Sequence, residues 1–240
     1  MEAETKQPSR REEEMTLSGL MEYCREGNFS IVKEAYDKDS KRFHSVDDSG
    51  RLAMHWASSG GHLELLQFLV SALDKDIDIK DDMGWTCLMI ASSAGHKDVA
   101  RYLLSQHADV NASNNNGQTS LHYAASKNRL EIAEMLLEAR ANLKSQDKYG
   151  SSPLHRAAAQ GHSKMVQLLL SRQPASHINL HDSQLNTPLH LACEERRNEV
   201  AIFLVKQGAH LDTINSEEKT PLDLAEPGLR KTLMRLAESG

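Results

Sequence analysis

With 240 residues and a formal net charge of −6, the chain spreads its lysines and arginines widely and offers no basic footprint for nucleic acid. Aromatic residues make up only 5%, so Leu, Ile, Val, Met and Ala must fill the core, which suits small helices better than aromatic strands. No unbroken apolar run approaches the roughly 18 residues of a membrane span. The opening segment MEAETKQPSRREEEMT lacks the apolar stretch of a secretory signal, and residues 1–15 read as a charged, disordered tail. The cysteines, Cys24, Cys87 and Cys193, are odd in number and far apart. They form neither a disulfide framework nor a CxxC pair, which points to a reducing compartment, cytoplasmic and nuclear.

Along the chain one tetrapeptide pattern recurs. LAMH starts at Leu52, TCLM at Thr86, TSLH at Thr119, SPLH at Ser152, TPLH at Thr187 and TPLD at Thr220. The gaps of 34, 33, 33, 35 and 33 residues define one period. After each hit comes a small-residue helix, then a turn, which is Gly-His at Gly61-His62, Gly95-His96 and Gly161-His162. A second helix follows with apolar residues at i, i+1, i+3 and i+4, as in Leu65, Leu66, Phe68 and Leu69, one buried stripe. Thr187 is placed to cap its helix and Pro188 to occupy the first helical position. The links DVNASNNNG, NLKSQDKYG and INLHDSQLN are rich in turn residues. Two helices and a turn cannot bury their own apolar face, whereas stacked units can.

The pattern T-P-L-H at a 33-residue period is that of ankyrin repeats. The expected fold is an all-α ankyrin-repeat solenoid over 16–240. Its seven units span about 16–49, 50–83, 84–116, 117–149, 150–184, 185–217 and 218–240, the first and last atypical. A degenerate first unit fits GLMEYCREGNFSIVKEAY.

Within this frame the stretch TPLHLACEERR is no enzyme site. His190 shares a column with His55, His122 and His155, and Cys193 shares one with Ser58, Ser92, Ala125 and Ala158. A residue recurring once per repeat reads as structural, so no catalytic residue, metal or cofactor is expected. His177 and His181 are four apart but fall in a link after Pro174, not on a helix.

Variable columns are free to read a partner. They comprise the turn tips before each TPLH and the ends of the first helices. The candidates on the concave face are Arg51, Asp81, Asp82, Trp85, Lys127, Tyr149, Gln160, Glu194, Glu195 and Glu217. Trp85 and Tyr149 are of the type that forms hot spots, although Trp85 equally fits packing across adjacent tips.

The segments GRLAMHWASSGGH, KDDMGWT, NGQTSLHYAASKNRLEIAEMLLE, SPLHRAAAQGH, NTPLHLACEERR and EEKTPLDLA resemble the gankyrin-type ankyrin proteins. The likeness covers roughly residues 17–240 and includes Trp56, Trp85, Tyr123 and Lys127. It implies a non-enzymatic, monomeric chaperone that binds the C-terminal domain of one proteasomal ATPase subunit and assists assembly of the regulatory-particle base. By position, Arg51 and Lys127 would meet acids of that domain, and Asp81 and Asp82 its basic residues. Leu191, Cys193 and Glu195 also form L-x-C-x-E, similar to ligands of a retinoblastoma-type pocket protein. Such ligands bind extended, whereas this segment is expected to be helical. The alternative is a signalling adaptor or inhibitor of a cyclin-dependent kinase or transcription regulator.

Overall fold

The computed structural model describes residues 16–74, 76–172 and 177–238. The expected tail at 1–15 and the link residue Pro174 lie outside these. The chain divides between Asp109 and Val110 into two compact units. Helices are the regular elements of both, as expected of ankyrin repeats, and no strand occurs among the described residues.

The first unit holds α1 (Leu17–Glu26), α2 (Phe29–Lys38), α3 (Ala53–Gly60), α4 (Leu63–Leu73), α5 (Cys87–Ala94) and α6 (Lys97–Ser105). These form three antiparallel pairs. The short helices α1, α3 and α5 stack in sequence, and α4 packs on α6 behind them. A 3₁₀ turn at Ser40–His44 follows α2. The degenerate first repeat owes its core to aromatic edges. Tyr36 meets Phe43 and Phe68 edge-on at 5.3 Å each, and Phe29 meets Phe68 at 5.6 Å. Phe43 is fully buried, and the Tyr36 hydroxyl donates to the Ala72 carbonyl. Aromatic pairs of this geometry add roughly 0.5–1.5 kcal/mol each beyond area burial.

The second unit holds α7 (Ser120–Ser126), α8 (Leu130–Glu138), α9 (Pro153–Gln160), α10 (Ser163–Arg172), α11 (Pro188–Glu194), α12 (Asn198–Lys206), α13 (Pro221–Leu224) and α14 (Pro227–Glu238). Here α7, α9, α11 and α13 stack as one row, and α8, α10, α12 and α14 as another. Ser152, Thr187 and Thr220 accept the N–H of the third residue of their helices, each followed by a proline in the first turn.

The second-helix stripe is narrower than the spacing suggests. Residues at i, i+1 and i+4 are buried in each of the five central repeats, as at Leu65, Leu66 and Leu69, or Val200, Ala201 and Leu204. The residue at i+3 (Phe68, Tyr102, Met135, Leu168, Phe203) is only half-buried. At roughly 100° per residue, i, i+1 and i+4 span one arc, and i+3 falls off its edge. Each fully buried leucine contributes roughly 1.5–3 kcal/mol.

Candidate partner-binding surface

Within each unit, repeats are tied together by two sets of side chains, one reaching forward and one back. His55, His122, His155 and His190 are buried. In each, Nδ1 accepts the backbone N–H three residues earlier, from Leu52, Thr119, Ser152 and Thr187. Each Nε2 reaches a carbonyl in the next link, that of Ile79, Ser151, Asn186 and Lys219, at 3.0–3.2 Å. A backbone N–H only donates and a carbonyl only accepts, so these rings are neutral with the proton on Nε2. Burial lowers the pKa of all four, against the opposing pull of those carbonyls. Asp223 does the same work in the last repeat, its carboxylate accepting the Thr220 N–H at 3.0 Å.

The Gly-His histidines reach back. Nε2 of His62, His96 and His162 bonds the carbonyls of Arg25, Ser59 and Ser126 at the ends of preceding first helices. Arg197 substitutes for histidine there, donating to Ala159. His177 and His181 differ in setting, one buried and one exposed, and no described group of His, Cys, Asp and Glu could hold a metal.

The turn tips are built on a column of which only Asp81 was among the candidates. Asp47, Asp81, Asn114, Asp147, Asp182 and Asn215 recur with the repeat. In each, Oδ1 accepts the backbone N–H groups two and four residues on. Those donors are Ser49 and Arg51, Met83 and Trp85, and Asn116 and Gln118 in the first three. Tyr149 and Ser151, Gln184 and Asn186, and Glu217 and Lys219 complete the set. Such Asx bonding folds the tip without partner or metal. The spacing of Asp and Asn in the sequence carried this signal. Consecutive tips are then stitched through the backbone, Asp82 to Ser49 in the first unit, and Lys148 to Asn116, Ser183 to Tyr149 and Ser216 to Gln184 in the second.

At Gly50, φ is +71° and a Cβ would meet the Asp82 carboxylate at 2.2 Å, so only glycine fits. The same left-handed place is taken by Leu185 and Glu218 in later repeats, each at φ +59°.

Against this frame the candidates divide. In the first unit, Asp81 is 6% exposed, and its Oδ2 accepts the Arg51 Nε at 2.9 Å. The Arg51 guanidinium also lies over the Trp56 ring, 5.1 Å from its centroid, and Trp56 Nε1 donates to Asp47 Oδ2 at 2.7 Å. Thus Arg51 and Asp81, expected to meet oppositely charged partner groups, meet each other, and Trp56 joins them to the tip. Asp82 is exposed and Trp85 half-buried. In the second unit, Tyr149 is 64% exposed, and Lys127, Gln160, Glu194, Glu195 and Glu217 are exposed as well. Glu217 pairs with Lys219 at 2.7 Å. Leu185, which sequence reasoning did not single out, is 50% exposed on the tip stitched to that of Tyr149. A leucine held at positive φ costs about 1–2 kcal/mol.

The L-x-C-x-E residues lie on α11 and its cap. Cys193 is fully buried and Leu191 half-buried. Burial pushes the Cys193 thiol up to about 12, and those of Cys24 and Cys87 likewise. The thiol is a packed apolar group, not a nucleophile at neutral pH. An extended pocket ligand would require α11 to unfold.

The family profile described as "Ankyrin repeats (3 copies)" matches residues 10–81, 73–147, 107–182 and 139–215. The chain belongs to the ankyrin-repeat family. Ankyrin-repeat proteins are in general non-enzymatic scaffolds that bind other proteins, and the matched profile indicates no catalytic family. The chain is 37% identical over 51 residues to acyl-CoA-binding domain-containing protein 6 of Xenopus tropicalis, 21% of this chain and 18% of that one. It is 40% identical over 49 residues to protein fem-1 homolog C of Xenopus laevis, 20% of this chain and 8% of that one. The matches therefore span less than a fifth of either relative. No helix among the described residues is long and apolar enough to cross a membrane.

Proposed function

We propose that this ankyrin-repeat protein is an assembly chaperone that binds the C-terminal domain of one proteasomal ATPase subunit and assists formation of the regulatory-particle base. Two things support the reading. One is the sequence resemblance to gankyrin-type proteins in residues that repeat packing does not dictate, among them Lys127. The other, which carries it, is the apolar and charged display on the second-unit tips. Tyr149 and Leu185 stand exposed, with exposed Glu217 on the following tip; Asp147 Oδ1 accepts the Tyr149 N–H, the Asp182 carbonyl the Leu185 N–H and Asn215 Oδ1 the Glu217 N–H. A preformed tip loses little freedom on binding, and an exposed tyrosine offers a large contact at small entropic cost.

Charge then selects the partner. Exposed Glu194, Glu195 and Glu217 favour a basic ridge, and Lys127 favours an acid. The protein acts in the cytosol and nucleus, by covering a face of the ATPase domain until assembly is correct. Arg51 and Asp81 organise the first-unit tips in this account, and Lys127 and Tyr149 make the contacts.

Titration calorimetry against the purified C-terminal domain of each proteasomal ATPase subunit, at low and physiological salt, tests the reading. One-to-one binding to a single subunit that weakens with salt is expected. Binding to none of them would refute the chaperone and favour a signalling adaptor.

A further inference from the structure

A second surface lies away from the turn tips, at the C-terminal ends of two second helices. Leu137, Ala141 and Leu143 floor an open groove of about 430 Å³ whose charged lining is Arg140, Lys144 and Arg172. All three cations are exposed, and none pairs with an acid among the described residues. In a chain of net charge −6 three unneutralised cations on one groove are a local reversal.

Helix dipoles do not explain the set. Arg172 sits in the last turn of α10, where a cation is favoured. Lys144 lies outside any helix, in a turn held by its own N–H to Asn142 Oδ1 at 3.0 Å. Arg140 stands at φ +67°, in the place that Gly208 takes in a later repeat. The base of the groove is fixed. The Asn142 N–H donates to Asn111 Oδ1 at 2.8 Å, and the Asn111 amide reaches the Arg140 carbonyl at 3.5 Å.

We propose that this groove binds an acidic segment of a partner protein, its carboxylates on Arg140, Lys144 and Arg172 and an apolar side chain on Leu137 and Leu143. The occupant follows from charge complementarity over an apolar floor. A compact polyanion would use the cations and leave the leucines idle. An extended acidic peptide with an apolar anchor uses both. The site is independent of the tips, so a partner held there could be carried while the ATPase face is engaged.

The test is fluorescence anisotropy of a labelled Glu-Glu-Leu-Glu-Glu-Leu-Glu peptide with the full chain. The controls are a Glu-Glu-Gly-Glu-Glu-Gly-Glu peptide and inositol hexakisphosphate as a compact anion. The Leu-containing peptide should bind several-fold more tightly than the Gly form. The triple variant Arg140→Gly, Lys144→Gln, Arg172→Gln should weaken it roughly ten-fold or more, since each charge-assisted contact counts. Glycine at 140 suits the positive φ. If the triple variant melts early, Lys144→Glu alone, on an exposed turn, should still weaken binding. Wild-type affinity in a folded variant would overturn the proposal. So would peptide binding that ignores the leucines, or tight binding of inositol hexakisphosphate without the peptide.

Discussion

Two ion-pair settings show how one repeat column serves different ends. In the first unit Arg51, four residues past Asp47, reaches across 30 residues to Asp81 of the next tip, and is covered on one face by Trp56. In the second unit Arg156 reaches back nine residues to Asp147, on the tip just before its own helix, and that tip is left open, with Tyr149 64% exposed. In both, the tip carboxylate is buried and occupied. Burial alone would raise the Asp147 pKa, but Arg156 and the N–H groups of Ser151 and Tyr149 hold it below its ordinary value. What differs is the neighbour: the first unit commits its cation and aromatic ring to the stack, while the second shows its aromatic ring to solvent. Availability therefore follows the column: Met83 and Tyr149, each two residues after its tip carboxylate, are 56% and 64% exposed, whereas the carboxylates are buried.

Acid should separate the two units most. The four buried imidazoles have lowered folded pKa values, so the unfolded chain takes up protons first and stability falls as pH drops below 6.5. The first unit has one such ring and the second three. Hydrogen exchange from about pH 7 to about pH 5 should show protection lost earlier in the links after His122, His155 and His190 than around His55. Uniform loss would deny the tethers that role.

Thiol labelling comes next. Cys24, Cys87 and Cys193 are buried, with pKa near 12. Each should react at least about a hundred-fold more slowly in the native protein than in denaturant. Fast native labelling of Cys193 alone would mean that α11 opens readily, and would revive the extended pocket motif.

Asp147→Ala should destabilise by about 2–3 kcal/mol, because it orphans two backbone N–H groups and a half-buried arginine. A cost below about 1 kcal/mol in denaturant unfolding would show that water replaces the Asx bonds. The smallest change is Leu185→Gly. Removing strain at φ +59° should leave stability level or raise it by up to about 1 kcal/mol, while partner affinity falls. A destabilised variant would mean that the exposed leucine packs within the protein.

Much of this was legible in the sequence. The period, the helix pairs, the threonine and serine caps and the structural role of His190 follow from spacing and local chemistry. The tip column at Asp47, Asp81 and Asn114 was equally periodic, yet its Asp and Asn resembled ordinary turn composition, and Asp81 looked like a free acid. The pairing of Arg51 with Asp81 depends on how consecutive tips stack, which no local pattern encodes. Because Glu placed at 51 would face Asp81, Arg51→Glu cannot report on a partner without disturbing the stack. Lys127→Glu tests the exposed cation cleanly. The aromatic contacts of Phe29, Tyr36, Phe43 and Phe68 escaped because they lie in the degenerate repeat, and the groove at Arg140, Lys144 and Arg172 because its cations come from different elements.

The most direct measurement compares Tyr149→Ala with Arg51→Gln in calorimetric titrations of the proposed partner, the ATPase C-terminal domain, with melting recorded for each. The account predicts that Tyr149→Ala lowers affinity roughly thirty-fold at an unchanged melting temperature. Arg51→Gln should cost roughly 1–3 kcal/mol of stability, because it leaves the buried Asp81 carboxylate without its cation, and change affinity little. The reverse pattern, with affinity lost through Arg51→Gln and kept in Tyr149→Ala, would contradict it.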